Sequence, residues 1–568
     1  MPTPPSPDHL LQEAVDAFRT YGTKKQAADA LGLPWTTLDN RLKAAAARGI
    51  EAGFNRGAVD SLETVEFDVP RKGRVSRYLL TTAQCHTAVH AEFWANLQAL
   101  ALHYDATLMV SPVTYNKEAF GNDKMQKCVK RDAEIKDGQG RTSGVGVLTD
   151  REHGQDDASN YAPEVREYLY FDRVNIAPRL TFCSELNILP TARKPLQGLE
   201  SYTGRNSTVV PHPALALKSV PGMKGEGVKL MYTTGACTLR NYIQRKEGFR
   251  AEHFHAYAAL LVEVDSDGRW WCRHVEQGSD GTACDLDLVF KDGKLAQRGA
   301  RVADICWGDI HASKLDDSVA AAGWRGKRNM LDTLRPYSQH IHDLLDATPF
   351  GHHTRKDPFE DFRAYVKSHR RSMAEELRTT ARVAAELARP WCDSVVVNSN
   401  HDRHLGRALA EIDWRKDSEN AELILRLTAD MLRAIREDDS GFNLVEAAIR
   451  MFSGCGLPGI RFLKEDESDV ILRHINGGIE CGLHGDRGAN GAKGTAAGIA
   501  KASRRINMAD KHAAEIVDMV YVAGVSGKLD MGYNKGMSSW SNAHTLTYPN
   551  GCRVIVTVYE GRWHAASR

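Results

Sequence analysis

The residues best suited to chemistry are Asn398-Ser-Asn-His-Asp402, which follow Val395-Val-Val397 directly. The amide oxygen of Asn400 can coordinate a hard metal ion. His401 can carry a proton, and Asp402 can fix the tautomer and orientation of an imidazole. Taken alone, this cluster would read as a polar turn after a strand. Other fragments give it company. Asp309 and His311 close the run Arg301-Val-Ala-Asp-Ile-Cys-Trp-Gly-Asp-Ile-His311, Asp343 lies in Gln339-His-Ile-His-Asp343, His484 precedes a glycine, and Asp510 and His512 come later. Residues two apart on a strand share a face, so Asp309 and His311 are expected to converge on one ion. Each fragment is weak alone; their order along the chain is far more specific.

The elements that must position these groups can be read from the pattern. Three consecutive valines predict a buried strand, whose carboxyl end delivers side chains to a sheet edge, where α/β proteins place their chemistry. Gly485, Gly488, Gly491 and Gly494 predict a flexible loop beside His484, either cradling phosphate on backbone amides or simply turning. Helices are expected at about 358–389 and 417–437. Arg370, Arg371, Arg378 and Arg382 form a basic face on the first of these, either tracking a nucleic-acid backbone or merely solvated.

Upstream, Tyr78–Gln84, a helix to about Tyr104 and Thr107–Val110 predict a βαβ unit, and 228–300 is β-rich. His253, His255 and Cys272 lack ligand spacing and are expected to be ordinary residues. Residues 51–73 lack periodicity and read as a linker. Residues 1–50 predict three short helices separated by tight turns, a helix-turn-helix. Thr36, Thr37, Asn40 and Arg41 would then face a major groove, with Lys43 and Arg48 near phosphates. The other reading of this knob is a contact between copies of the chain. The organisation expected is therefore 1–50, 51–73, an α/β and β-rich region at 74–300, and a metal-bearing domain at 301–568.

At 568 residues the chain exceeds what one core supports. Its 74 Lys+Arg against 73 Asp+Glu exclude a global basic field, so any nucleic-acid contact must be local. Eleven scattered cysteines without a Cys-x-x-Cys pair favour reduced thiols over a disulfide framework or zinc ribbon. No signal core or membrane-length apolar run is evident. A cytoplasmic protein without a membrane partner is expected.

The order Asp-x-His, Asp, Asn-His-Asp, His-Gly and a late His resembles the calcineurin-like metallophosphoesterases over about 300–568. A closer likeness extends from residue 74 onward. The stretches "LQGLESYTGRNSTVVPHPALALKSVP", "CGLHGDRGANGAKG" and "VSGKLDMGYNKGMSSWSNAHTLTYPNG" resemble the phage early proteins that break down host DNA. "QAADALGLPWTTLDNRLKAAAARG" resembles small DNA-binding modules of phage and transposon proteins.

The resemblance implies an α/β protein with two stacked mixed sheets flanked by helices, preceded by an α/β region and the helix-turn-helix. It implies two divalent ions about 3.5–4 Å apart. Asp309, His311, Asp343 and His512 would hold the first, and Asp343, Asn400, His484 and Asp510 the second. The family has a histidine where Asp510 stands. A mixed Asp/Asn/His set without Cys favours manganese, or magnesium, over structural zinc. His401 would serve the leaving oxygen with Asp402 as its partner, and His353, Arg403 and His404 are candidates for touching substrate. The expectation is a metal-dependent DNase of phage origin acting in the host cytoplasm, with DNA as its partner. The rivals are a nucleotide phosphodiesterase or phosphatase, and a DNA-binding regulator with a decayed metal site.

Overall fold

The computed structural model describes residues 7–21, 24–47, 64–115, 158–351, 372–454, 456–532 and 534–565, with positions 359, 362 and 366. The chain divides into two compact units, 1–64 and 65–568. The small unit is the expected set of three helices, Asp8–Tyr21, Lys24–Ala30 and Trp35–Ala47. Their helical-period apolar residues Leu11, Val15, Phe18, Leu38 and Leu42 form its core. Thr36 and Asn40 are exposed, Thr37 and Arg41 half-buried, and Lys43 pairs with Asp39 at 2.7 Å. Arg48 lies outside the described residues.

The large unit is mixed α/β. Its six-stranded sheet runs Ile460–Phe462, Asp393–Val396, Ser338–Ile341, Asp304–Cys306, Ala543–Thr547, Arg553–Thr557. The first four strands are parallel and the last two antiparallel. Parallel strands need cover on both faces, and their residues are accordingly almost all buried. One face packs against helices. In Met373–Leu387 the buried residues Met373, Leu377, Ala381, Ala384 and Leu387 recur at helical spacing, and Ser372 Oγ caps the start by accepting from Glu375 N. Burial of each large side chain contributes roughly 1.5–3 kcal/mol. Of the expected 358–389 helix, Arg370 and Arg371 fall outside the described residues, while Arg378 pairs with Glu375 and Arg382 is exposed.

The other face of this sheet meets an eleven-stranded sheet. Cys306 packs on Ala509 and Ala523, Asn507 Nδ2 donates to Thr547 Oγ1 at 3.0 Å, and Arg553 donates to Ile506 O at 3.0 Å. This larger sheet joins strands from 173–233 with strands from 470–522. The stretches read separately from the sequence, 74–300 and 301–568, thus share one sheet. Thr64–Glu66, inside the stretch read as a linker, is its edge strand. The βαβ unit is present: Val75–Gln84 and Thr107–Val113 pair in parallel, connected through helix Ala91–Tyr104. Two antiparallel strands, Ala258–Asp265 and Trp270–Glu276, complete its four-stranded sheet.

His255 and Cys272 are buried and His253 exposed; His255 is bonded to Tyr242 OH at 2.7 Å and to Thr238 O at 3.0 Å, as ordinary residues would be. The cysteines of the described residues are buried and free. No helix among the described residues is long and apolar enough to cross a membrane.

Candidate metal centre

Loops at the carboxyl ends of three adjacent parallel strands carry Asp309 and His311, then Asp343 and Asp346, then Ser399 to Asp402. The facing sheet adds His484 after Ile479–Glu480 and Asp510–His512 after Arg505–Met508. The two sheets come close here because glycines allow it. A Cβ on Gly308 would lie 2.6 Å from Gly524 C, and Asp309 N bonds Gly524 O at 3.2 Å.

Asp309, His311, Asp343 and His512 bring one ligand atom each within 4.8 Å of one another, and all four are buried. His311 Nε2 faces His512 Nε2 at 2.9 Å and Asp343 Oδ2 at 3.5 Å. Asp309 Oδ2, buried and accepting no hydrogen bond, lies 3.1 Å from His512 Nε2. The convergence of Asp309 and His311 does not come from strand alternation as expected. The strand ends at Cys306, and His311 turns back through a left-handed backbone, φ 46°. Asp343 (φ 47°), Asp510 (φ 69°) and His512 (φ 56°) share that sparsely populated region, which for non-glycine residues is held by surrounding structure and concentrates at functional sites.

The donor set fits a divalent cation. His311 Nδ1 donates to Asp346 Oδ1 at 2.9 Å, so Nε2, aimed at Asp343 and His512, is the nitrogen whose lone pair would face a bound cation. Asp343 Oδ1 accepts from Ser399 Oγ at 2.7 Å, leaving its other oxygen toward His311. Burial alone would raise the Asp309 carboxyl, but the imidazoles of His512, His484 and His311 hold it well below the usual carboxylate range. The ring of His512 also lies edge-on to Trp540, centroids 4.2 Å apart.

A second group stands beside the first. His484 Nε2 is 3.0 Å from Asn400 Oδ1 and 3.7 Å from Asp510 Oδ1. The carboxylate of Asp510 is also held by Lys511, and its backbone N donates to Asp309 Oδ1 at 3.2 Å. His342, next to Asp343 in sequence, stacks on His484 with ring centroids 5.6 Å apart. Burial, then the neighbouring His484, pushes the His342 imidazole well down, so it stays neutral.

His401 is half-buried at the rim, with Nε2 3.9 Å from Asp343 Oδ2 and Nδ1 donating to Asp346 O at 3.1 Å. Burial would lower its imidazole, but Asp343 and Asp346 outweigh that and raise it to about 10. Asp402 is not its partner, contrary to expectation. As a residue of the first helical turn, Asp402 accepts from Ser399 N at 2.8 Å, and burial pushes its carboxyl up to about 7. The orienting role belongs to Asp346, which sequence reasoning left unassigned although it lies three residues after Asp343. Asp346 also accepts from Ser313 Oγ at 2.6 Å and Lys314 Nζ at 2.9 Å.

The glycine loop is closed on itself: Gly488 N bonds Ala492 O at 2.6 Å and Gly494 N bonds Asp486 O at 2.8 Å, so these amides are engaged. Arg403 bonds Asp486 at 2.5 Å, and the His404 ring lies against His401 with centroids 5.5 Å apart. His353 lies outside the described residues.

No protein-family model and no solved structure matches the chain. The chain is similar to Protein A1 of Escherichia phage T5, 35% identical over 511 residues, which covers 88% of this chain and 85% of that protein. With that identity across most of both chains, this protein belongs to the family of the phage T5 protein A1.

Proposed function

We propose that the chain is a metal-dependent phosphodiesterase that cleaves DNA, a calcineurin-like metallophosphoesterase used by a phage against host DNA in the infected cell's cytoplasm. The observation that carries this reading is the convergence of Asp309, His311, Asp343 and His512 from three separate loops into one buried ligand set. Asn400, His484 and Asp510 would complete a second ion's set with Asp343, and the hard, cysteine-free ligands suit manganese or magnesium. Bound ions would supply positive charge for attack on an already anionic diester and lower the pKa of an attacking water.

The chain's own residues do the rest. Asp346 orients the His311 ring, and Ser399 orients the Asp343 carboxylate. His401, whose Nε2 lies 3.9 Å from Asp343 Oδ2, would donate a proton to the leaving alkoxide. Asn400, His401 and Asp510 are the partly exposed members of the site and would meet the substrate. The three-helix unit would add DNA affinity through Thr36, Thr37, Asn40 and Arg41; removal of residues 1–50 should flatten the salt dependence of DNA binding while cleavage persists.

The test is incubation of plasmid, single-stranded DNA and a chromogenic phosphodiester with manganese, then with EDTA. Metal-dependent loss of DNA supports the reading. Turnover of the small diester alone points to a nucleotide phosphodiesterase. DNA binding with no hydrolysis under any metal points to a regulator with a decayed site, a reading favoured by the Lys511 pairing of Asp510.

A further inference from the structure

Helix Ala421–Arg436 has two apolar faces, and only one is covered. Leu423, Ile424 and Leu427 join the main core. On the outer side Leu425, Leu432 and Ile435 are 45%, 61% and 68% exposed. Single exposed leucines are normal. Leu425 and Leu432, however, fall on one seam with Ala429, and Ile435 flanks it: positions 425, 429 and 432 follow the 3.5-residue repeat of helices that pack on helices. The same repeat reaches Glu422 at one end and Arg436 at the other, with side chains 87% and 75% exposed.

The seam reads Glu, Leu, Ala, Leu, Arg. Turned about a two-fold axis at Ala429, it meets itself with the charges exchanged. Glu422 would face Arg436 of the partner subunit, and Leu425 would lie beside Leu432 of the partner subunit. Ala429 at the centre lets the backbones approach. An acidic residue near the start of a helix and a basic one near its end also suit the helix's own dipole. That accounts for the charges but not for three exposed aliphatic side chains between them. The present pairs, Glu422 with Arg426 at 3.7 Å and Arg436 with Glu437 at 3.4 Å, are exposed and weak, so they exchange readily.

We propose that this face docks a second copy of the chain, the two helices lying antiparallel in an isologous dimer. No metal ligand lies on this helix, so the proposal stands or falls independently of the catalytic reading.

Sedimentation velocity on the full chain across a concentration series tests it, with circular dichroism as a check on folding. The wild type should sediment as a dimer at the upper concentrations. Leu432→Lys should give a folded monomer. Glu422→Arg and Arg436→Glu should each weaken the dimer about tenfold, and the double variant should recover most of that loss, because the pairing is restored with reversed polarity. A wild type that stays monomeric, a dimer indifferent to Leu432→Lys, or a double variant no better than its parents would overturn the proposal.

Discussion

His311 Nδ1 lies 2.9 Å from Asp346 Oδ1, with both side chains fully buried. Asp346 is no member of the converging ligand set, yet it decides which nitrogen of His311 points into that set. It also receives Lys314 and Ser313 and lies against His401. Asp346→Asn should keep the fold but weaken metal affinity about 10–100-fold, the usual cost of losing a partner behind a ligating histidine. Isothermal titration with manganese checks this, and unchanged affinity would remove Asp346 from the site.

His401→Ala should leave metal content near that of the wild type and lower turnover by about 10²–10⁴, the usual range for general acid catalysis. Elemental analysis beside initial rates decides it. Asp402→Asn should behave differently, because Asp402 holds Ser399 N rather than His401. Its main effect should be on thermal stability.

Asp510→Ala should raise the manganese concentration needed for half-maximal activity about tenfold, with a smaller effect on the rate at saturation. Lys511→Met should act in the opposite sense, since Lys511 competes for the same carboxylate. Superimposable manganese titrations of wild type and Asp510→Ala would sink the ligand role of Asp510.

A buried charge relay near the sheet interface predicts a pH effect on stability. His340 Nδ1 bonds Asp304 at 2.8 Å and Nε2 bonds Asp469 at 3.0 Å, with Arg461 also on Asp469. Burial would lower the His340 imidazole, but the two carboxylates raise it to about 9. A raised folded-state value stabilises fully below the ordinary histidine range, near 6.5, and this contribution disappears as pH rises through about 9. The effect is at most on the order of 3 kcal/mol. Thermal midpoints at pH 6.5 and 9.5 should differ more for the wild type than for His340→Gln, and equal differences would refute the relay.

Much of the frame was legible because periodicity and side-chain chemistry are local. Val395–Val397 marked a buried strand, the apolar stripes of residues 8–47 marked three helices, and Tyr78–Val110 marked a βαβ unit. Asp309, His311, Asp343, Asn400, His401, His484, Asp510 and His512 were singled out because the order of their fragments resembles a known family's, and the fold gathers them at one place.

What the sequence left open depends on how distant segments meet. No pattern in 173–233 says that its strands share a sheet with 470–522, because pairing between remote strands leaves no local period. The convergence of Asp309 and His311 needed a left-handed turn, which is held by the neighbouring loop, where His311 N donates to Asp343 O at 2.9 Å, rather than by strand alternation. The exchange of roles between Asp402 and Asp346 is the same lesson in one site. Adjacency in sequence suggested Asp402 for His401, but the first turn of a helix directs that carboxylate to Ser399 N, and a neighbouring loop supplies Asp346 instead. Residue types and their order thus determined what this site can do; the packing of two sheets decided which side chain holds which.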